Sequence, residues 1–152
     1  MNFNNSFQIS ASALTAQRLR MDVIAANIAN ADTSRSELID GNWSPYRRKM
    51  VVMEPNGQQP SFEQVFKSKL NRSEPVSGVK VTRIVEDGTP FQRVYDPTHP
   101  DADENGFLFM PNVEPLKEMV DMISATRAYE ANVTALNAAK SMFMASLEIG
   151  RR

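Results

Sequence analysis

Cysteine is absent from the sequence, which removes disulfides, thiolate metal sites and thiol nucleophiles together. Histidine occurs once, at His99, so paired-imidazole metal motifs are excluded. There is no glycine-rich phosphate loop, and no serine is tied to a base by a readable spacing. A formal net charge of -1 supplies no field that would gather nucleic acid or an anionic membrane. No apolar run approaches the ~20 residues that span a bilayer. The opening "MNFNNSFQIS" lacks the basic start and apolar stretch of a secretory signal. If the chain leaves the cytoplasm, the expected route needs no cleaved signal. Hydrophobic residues at 41% and charged residues at 23% nevertheless place the 152-residue chain among folded proteins. That length suits one domain, or a small domain carrying long helices.

Glycine and proline are scarce where they would break helices. From Phe7 to about Asn30 there is neither, and good helix formers dominate. Steps of three and four pick out Phe7, Ser10, Leu14, Gln17, Met21, Ile24 and Ile28, a repeat of about 3.5 residues. The pattern ends at "NIANADTSRS", whose Asn27, Asn30, Asp32, Thr33 and Ser34 compete with helical hydrogen bonding. From Val113 to Ile149 there is no glycine and one proline, Pro115, in a tolerated first-turn position. Asn112 is the expected N-cap and Gly150 the expected stop. Met119, Met122, Thr126, Tyr129, Val133, Leu136, Lys140, Phe143 and Leu147 follow the same alternating step, and Val120 and Ile123 widen the stripe. A helix of that length is roughly 55 Å long, far beyond what a compact domain of this size covers. Periodicity alone fits the core of a monomeric bundle as well as an assembly surface. The small residues Ala125, Ala128, Ala131, Ala135, Ala138 and Ala139 favour several close neighbours and hence assembly.

Between the helices the pattern changes to strands and turns, and most of the proline and glycine lies there. "YRRKMVVME" is a predicted strand, "VKVTRIV" and "PFQRVY" a predicted hairpin about Asp87 and Gly88, and "FLFM" a last short strand. "SFEQVFKSKL" is expected to be a short helix or loop, with Ser61 and Gln64 placed for a capping box. The expected class is α+β: residues 1–34 a helix and its exit turn, 35–111 a small β-domain, and 112–152 a long helix.

Two stretches invite chemistry. In "DADENGFLFMPN", Asp101, Asp103, Asn105 and Gly106 match the first half of a calcium loop, but Asn112 stands where a bidentate glutamate belongs. The stretch is read as an acidic connector, with weak calcium binding as the alternative. In "WSPYRRKM", Trp43 and Tyr46 adjoin Arg47, Arg48 and Lys49, and in so neutral a chain a strand face or subunit contact is favoured over nucleic acid.

"SALTAQRLRMDVIAANIANADTSR", "PYRRKMVV", "YDPTHPDADENGFLFMPNV" and "EMVDMISATRAYEANVTALNAAKSM" together resemble the axial proteins of the bacterial flagellum, and among them those of the proximal rod. The resemblance runs from Ser12 to about Arg151 and is weakest between Pro55 and Gly78; "ELIDGNW" departs from it. It implies a structural protein rather than an enzyme, with no cofactor or metal. It implies export by the flagellar type III apparatus, and polymerisation in the periplasm with further copies and other rod proteins, without a membrane span. The terminal helices would pair as a coiled coil, Leu14, Met21, Ile24 and Ile28 facing Tyr129, Val133, Leu136 and Phe143. Met119, Met122, Ile123 and Leu147 complete the expected assembly surface. Asn27, Asn30, Asp32 and Thr33 would form the helix exit, and Arg47, Arg48, Asp101 and Asp103 are the expected subunit contacts. A soluble coiled-coil adaptor and a calcium-regulated binding module are the competing readings.

Overall fold

The computed structural model describes residues 3–39, 41–56, 66 and 78–150. A 27-residue helix, α1 (Phe3–Ala29), and a 36-residue helix, α2 (Pro115–Gly150), flank the β segment. At 1.5 Å per residue they run about 40 and about 54 Å. Between them lie β1 (Glu37–Ile39), β2 (Asn42–Ser44), β3 (Lys49–Pro55), β4 (Val79–Glu86), β5 (Gln92–Tyr95) and β6 (Phe107–Met110). The class is therefore α+β, two terminal helices around a β insertion. The predicted helix or loop over "SFEQVFKSKL" lies outside the described residues apart from Phe66.

Each helix end has a local cause. α1 begins ahead of Phe7, because an apolar stripe marks where a face packs rather than where backbone hydrogen bonding starts. It ends at Ala29, where the Asn30 side chain donates to the Ala26 carbonyl (2.8 Å) and the Thr33 amide donates to the Asn30 carbonyl (3.2 Å). The Ala26 carbonyl thus accepts both the Asn30 amide (3.1 Å) and the Asn30 side chain, a local bond that competes with continuing the helix. Pro115 is the first helical residue of α2, where its missing N–H leaves no bond unmade. Asn112 does not cap α2. Its side chain is committed to residues 48, 87 and 89 instead, as described below. Gly150 is still helical rather than a left-handed stop.

Among the described residues the strands form three two-stranded sheets, β1–β2, β3–β4 and β5–β6. The expected β4–β5 hairpin about Asp87 and Gly88 does not form. A tight hairpin there needs positive φ at the glycine, and Gly88 does not have it. Residues 87–91 make a corner instead: the Asp87 amide donates to the Arg48 carbonyl (2.8 Å), and the Asp87 carboxylate takes the Thr89 amide (3.0 Å) and hydroxyl (2.6 Å). An antiparallel hairpin forms earlier in the chain instead. β1 and β2 pair antiparallel with Leu38 opposite Trp43, and Gly41 between them has φ of 83°. β5 and β6 are also antiparallel, Tyr95 opposite Phe107 and Gln92 opposite Met110. Their connection requires Gly106. Its φ is 78°, and an added Cβ would stand 3.0 Å from the Tyr95 ring and 3.2 Å from Pro97.

Contacts divide the chain into two units. One comprises Met1–Arg18, Met53–Thr82 and Thr126–Arg152; the other comprises Leu19–Val52 and Arg83–Ala125. In the first, the backbone of residues 78 and 79 comes up against α1. The Val79 amide donates to Ser12 Oγ (3.1 Å), and any Cβ on Gly78 would collide with that oxygen. In the second, α1 and α2 meet antiparallel, Asn27 reaching Glu118 and Arg20 reaching Asp121 (3.6 Å). Its buried apolar residues are Val23, Ile24, Tyr46, Leu108, Val113 and Ala125.

Candidate functional site: a buried ionic node and exposed helix faces

The second unit is centred on polar rather than apolar side chains. Glu118 and Asn27 are each only 1% exposed. Asn27 uses both ends of its amide on the backbone of Lys49, as a neighbouring strand would: Nδ2 donates to the Lys49 carbonyl (2.9 Å) and Oδ1 accepts the Lys49 amide (3.0 Å). Oδ1 also accepts the Tyr46 hydroxyl (3.0 Å), and Nδ2 also donates to Glu118 Oε2 (3.0 Å). Every donor and acceptor that the amide carries is therefore used.

Glu118 Oε1 receives the Arg48 guanidinium through Nε (2.6 Å) and Nη2 (2.6 Å). Arg48 extends further to Asp87 (3.4 Å) and Asp121 (3.6 Å). Its backbone is held as well, since the Arg48 amide donates to Asn112 Oδ1 (2.8 Å). Asn112 Nδ2 in turn donates to the carbonyls of Thr89 (3.1 Å) and Asp87 (3.3 Å). One node thus ties the end of α1, the start of β3, the 87–89 corner and the first turn of α2.

The electrostatics follow from this geometry. Burial alone would lower the Arg48 pKa, but the hydrogen bond and charge of Glu118, joined by those of Asp87, hold it above its ordinary value. Tyr46 is raised by burial and then by the charges of Glu118 and Glu86, so its phenol remains a donor to Asn27. The Asp87 carboxyl is held below its usual range, chiefly by the hydroxyl and amide of Thr89 and then by Arg48.

The residues expected to touch other subunits distribute unevenly. Arg48 and Asp101 are engaged within the chain, Asp101 with Arg35 and with the Ser34 hydroxyl (2.7 Å). Arg47 is partly exposed, lying over the Phe91 ring at 4.7 Å and 3.9 Å from Glu86. Asp103 is exposed. On α1, Ile24 is buried while Leu14, Met21 and Ile28 are half-buried. On α2, Met122, Tyr129, Val133 and Leu136 are half-buried, whereas Met119, Ile123, Phe143 and Leu147 are exposed.

Apart from Ile24, which lies on the predicted stripe, the buried residues of the helices stand one position before the predicted stripes: Ala16, Val23 and Asn27 on α1, and Glu118, Ala125 and Ala139 on α2. A reading that selects large apolar residues passes over an alanine, an asparagine or a glutamate. Polar residues at heptad spacing from buried alanines are the signal that would have found Glu118. Leu116, Met119, Val120 and Ile123 consequently remain exposed along α2.

Two family models match this chain. Residues 7–35 match the flagella basal body rod protein model, and residues 104–149 match the flagellar basal body rod FlgEFG protein C-terminal model. The flagellar basal-body rod protein FlgC of Bacillus subtilis (strain 168) is 54% identical over 148 residues, 97% of each chain. The chain belongs to the FlgC family of flagellar basal-body rod proteins. Two further FlgC proteins, from Borreliella burgdorferi and Salmonella typhimurium, are 44% and 40% identical over 98% and 97% of each chain. As a FlgC-family chain it is a structural rod subunit, and the node and the exposed helix faces are the features to which that role must be referred. Among the described residues, no helix is long and apolar enough to cross a membrane.

Proposed function

We propose that this FlgC-family chain builds the proximal part of the rod by burying the exposed apolar face of α2 against neighbouring subunits. The observation that carries the reading is the run of large apolar side chains open to solvent in the single chain: Leu116 at 76%, Val120 at 61%, Ile123 at 55% and Met119 at 49%. Apolar area on that scale is stabilised by about 25 cal/mol for every Å2 removed from water. A helix carrying it on one side, while its other side is covered by its own chain, is built to be enclosed by neighbours. Phe143 and Leu147 are exposed farther along α2 and add apolar surface there. The half-buried Leu14, Met21, Ile28, Met122, Tyr129, Val133 and Leu136 border the covered side. Arg47 and Asp103 supply polar contacts at the β insertion.

On this reading the chain has no catalytic step. It reaches the periplasm through the flagellar type III apparatus, joins further copies and other rod proteins, and transmits torque. Basal bodies purified from cells carrying an epitope-tagged chain test the placement. Recovery of the chain in the rod fraction is expected, and its retention as a discrete cytoplasmic dimer or trimer would favour an adaptor instead.

A further inference from the structure

We propose that Arg48, Glu118 and Asn27 form a register key: they select one axial alignment of α1 against α2, a task the apolar contacts of this unit perform poorly. The inference concerns the fold of the single chain and does not depend on how subunits associate.

Apolar matching is undemanding here. α1 brings Val23 and Ile24, and the buried apolar residue on the α2 segment of this unit is Ala125. Alanine presents a flat surface to the facing helix and fixes no axial position by its shape. A slip of one heptad, about 10 Å along the axis, would put Asn132 or Glu118 where Ala125 packs, and the apolar burial forfeited on α2 would be no more than that of one methyl group.

The polar contacts do not slip so easily. Seven-residue steps from Glu118 lead to Ala125, Asn132 and Ala139, none of which carries a carboxylate. Arg48 cannot follow a moving helix, because its amide is held by Asn112 and its carbonyl accepts the Asp87 amide. A slipped alignment would therefore leave Glu118 without its guanidinium and the Asn27 amide without its carboxylate acceptor. A buried ion pair is close to neutral in stability relative to apolar residues of the same volume, while a buried charge without its partner is strongly disfavoured. The node thus discriminates between alignments more than it stabilises the correct one.

The absence of native cysteine permits a direct measurement on the full-length chain. Spin labels at Asp22→Cys and Ser124→Cys, both exposed and one on each helix, report the alignment through their distance distribution. The parent is expected to give a single narrow distance. Glu118→Met alone should lower the thermal midpoint by about 10 °C, because Arg48 loses its closest and most buried partner and keeps only the longer contacts to Asp87 and Asp121. Arg48→Met with Glu118→Met should regain most of that loss while the distribution broadens or gains a population displaced by about 10 Å. A single narrow distance in the double variant, whatever its midpoint, overturns the proposal. Should the double variant fail to fold, the distance distribution of Glu118→Met, in which no carboxylate on α2 marks the alignment, is read in the same way: broadening supports the key and a narrow distance overturns it.

Discussion

Individual residues in this chain are constrained by backbone conformation and hydrogen bonding more than by bulk. Gly106 combines a φ of 78° with a ring edge and a proline where a Cβ would stand. Gly106→Ala is therefore expected to destabilise by about 2 kcal/mol, measured by denaturant unfolding, with Gly88→Ala near neutral as the comparison. The Cβ of Gly88 would meet nothing within 4 Å. Asp87 makes a second case. Thr89, ahead of Arg48, holds its carboxyl below the ordinary 3.8. The folded state binds that proton less readily than the unfolded chain does. The contribution is then fully present above the unfolded value and is lost as pH falls through the lower folded one. Carboxylate titration by NMR should place Asp87 below 3.8, and Thr89→Val should move it upward; an unchanged midpoint in the variant would show that Thr89 is not the cause.

At the scale of elements, α2 is unevenly supported. Its first turns hold Glu118 and Ala125 at 1% exposure, while residues 141–150 are exposed throughout. Amide hydrogen exchange on the purified monomer should fall into a gradient, slow at 118–125 and fast beyond about residue 140. Uniform strong protection to Leu147 would contradict it.

The helices were legible in the sequence because their long glycine-free stretches and 3.5-residue stripes act over many residues at once. β3, β4, β5 and β6 were legible as elements for a similar reason, through β-branched and aromatic runs. Their partners were not. "EDGT" and "IDGN" carry the same Asp-Gly signal, and only the second falls between two strands that pair with each other. The first is captured by Arg48 and Asn112, which lie 39 and 25 positions from Asp87. Asn112 shows the same limit: its local context suggests a cap, and its distant partners decide otherwise. A local signal cannot reveal a contact made across such a separation.

For the whole molecule, the account divides labour between two sides of the terminal helices. The covered side carries Val23 and Ile24 with small and polar residues that hold the chain's own fold, and the exposed side carries the large apolar residues that we propose neighbours cover. Substitutions should separate accordingly. Val133→Asp or Leu136→Asp, at half-buried positions, should disturb the chain's own packing and rod assembly together. Met119→Asp with Ile123→Asp should spare the fold, since both side chains are exposed in the single chain. The most direct test is the amount of this Met119→Asp, Ile123→Asp chain in purified basal bodies, with its melting midpoint measured alongside. The account predicts an unchanged midpoint, loss of the chain from the rod and non-motile cells, whereas normal incorporation and motility would contradict it.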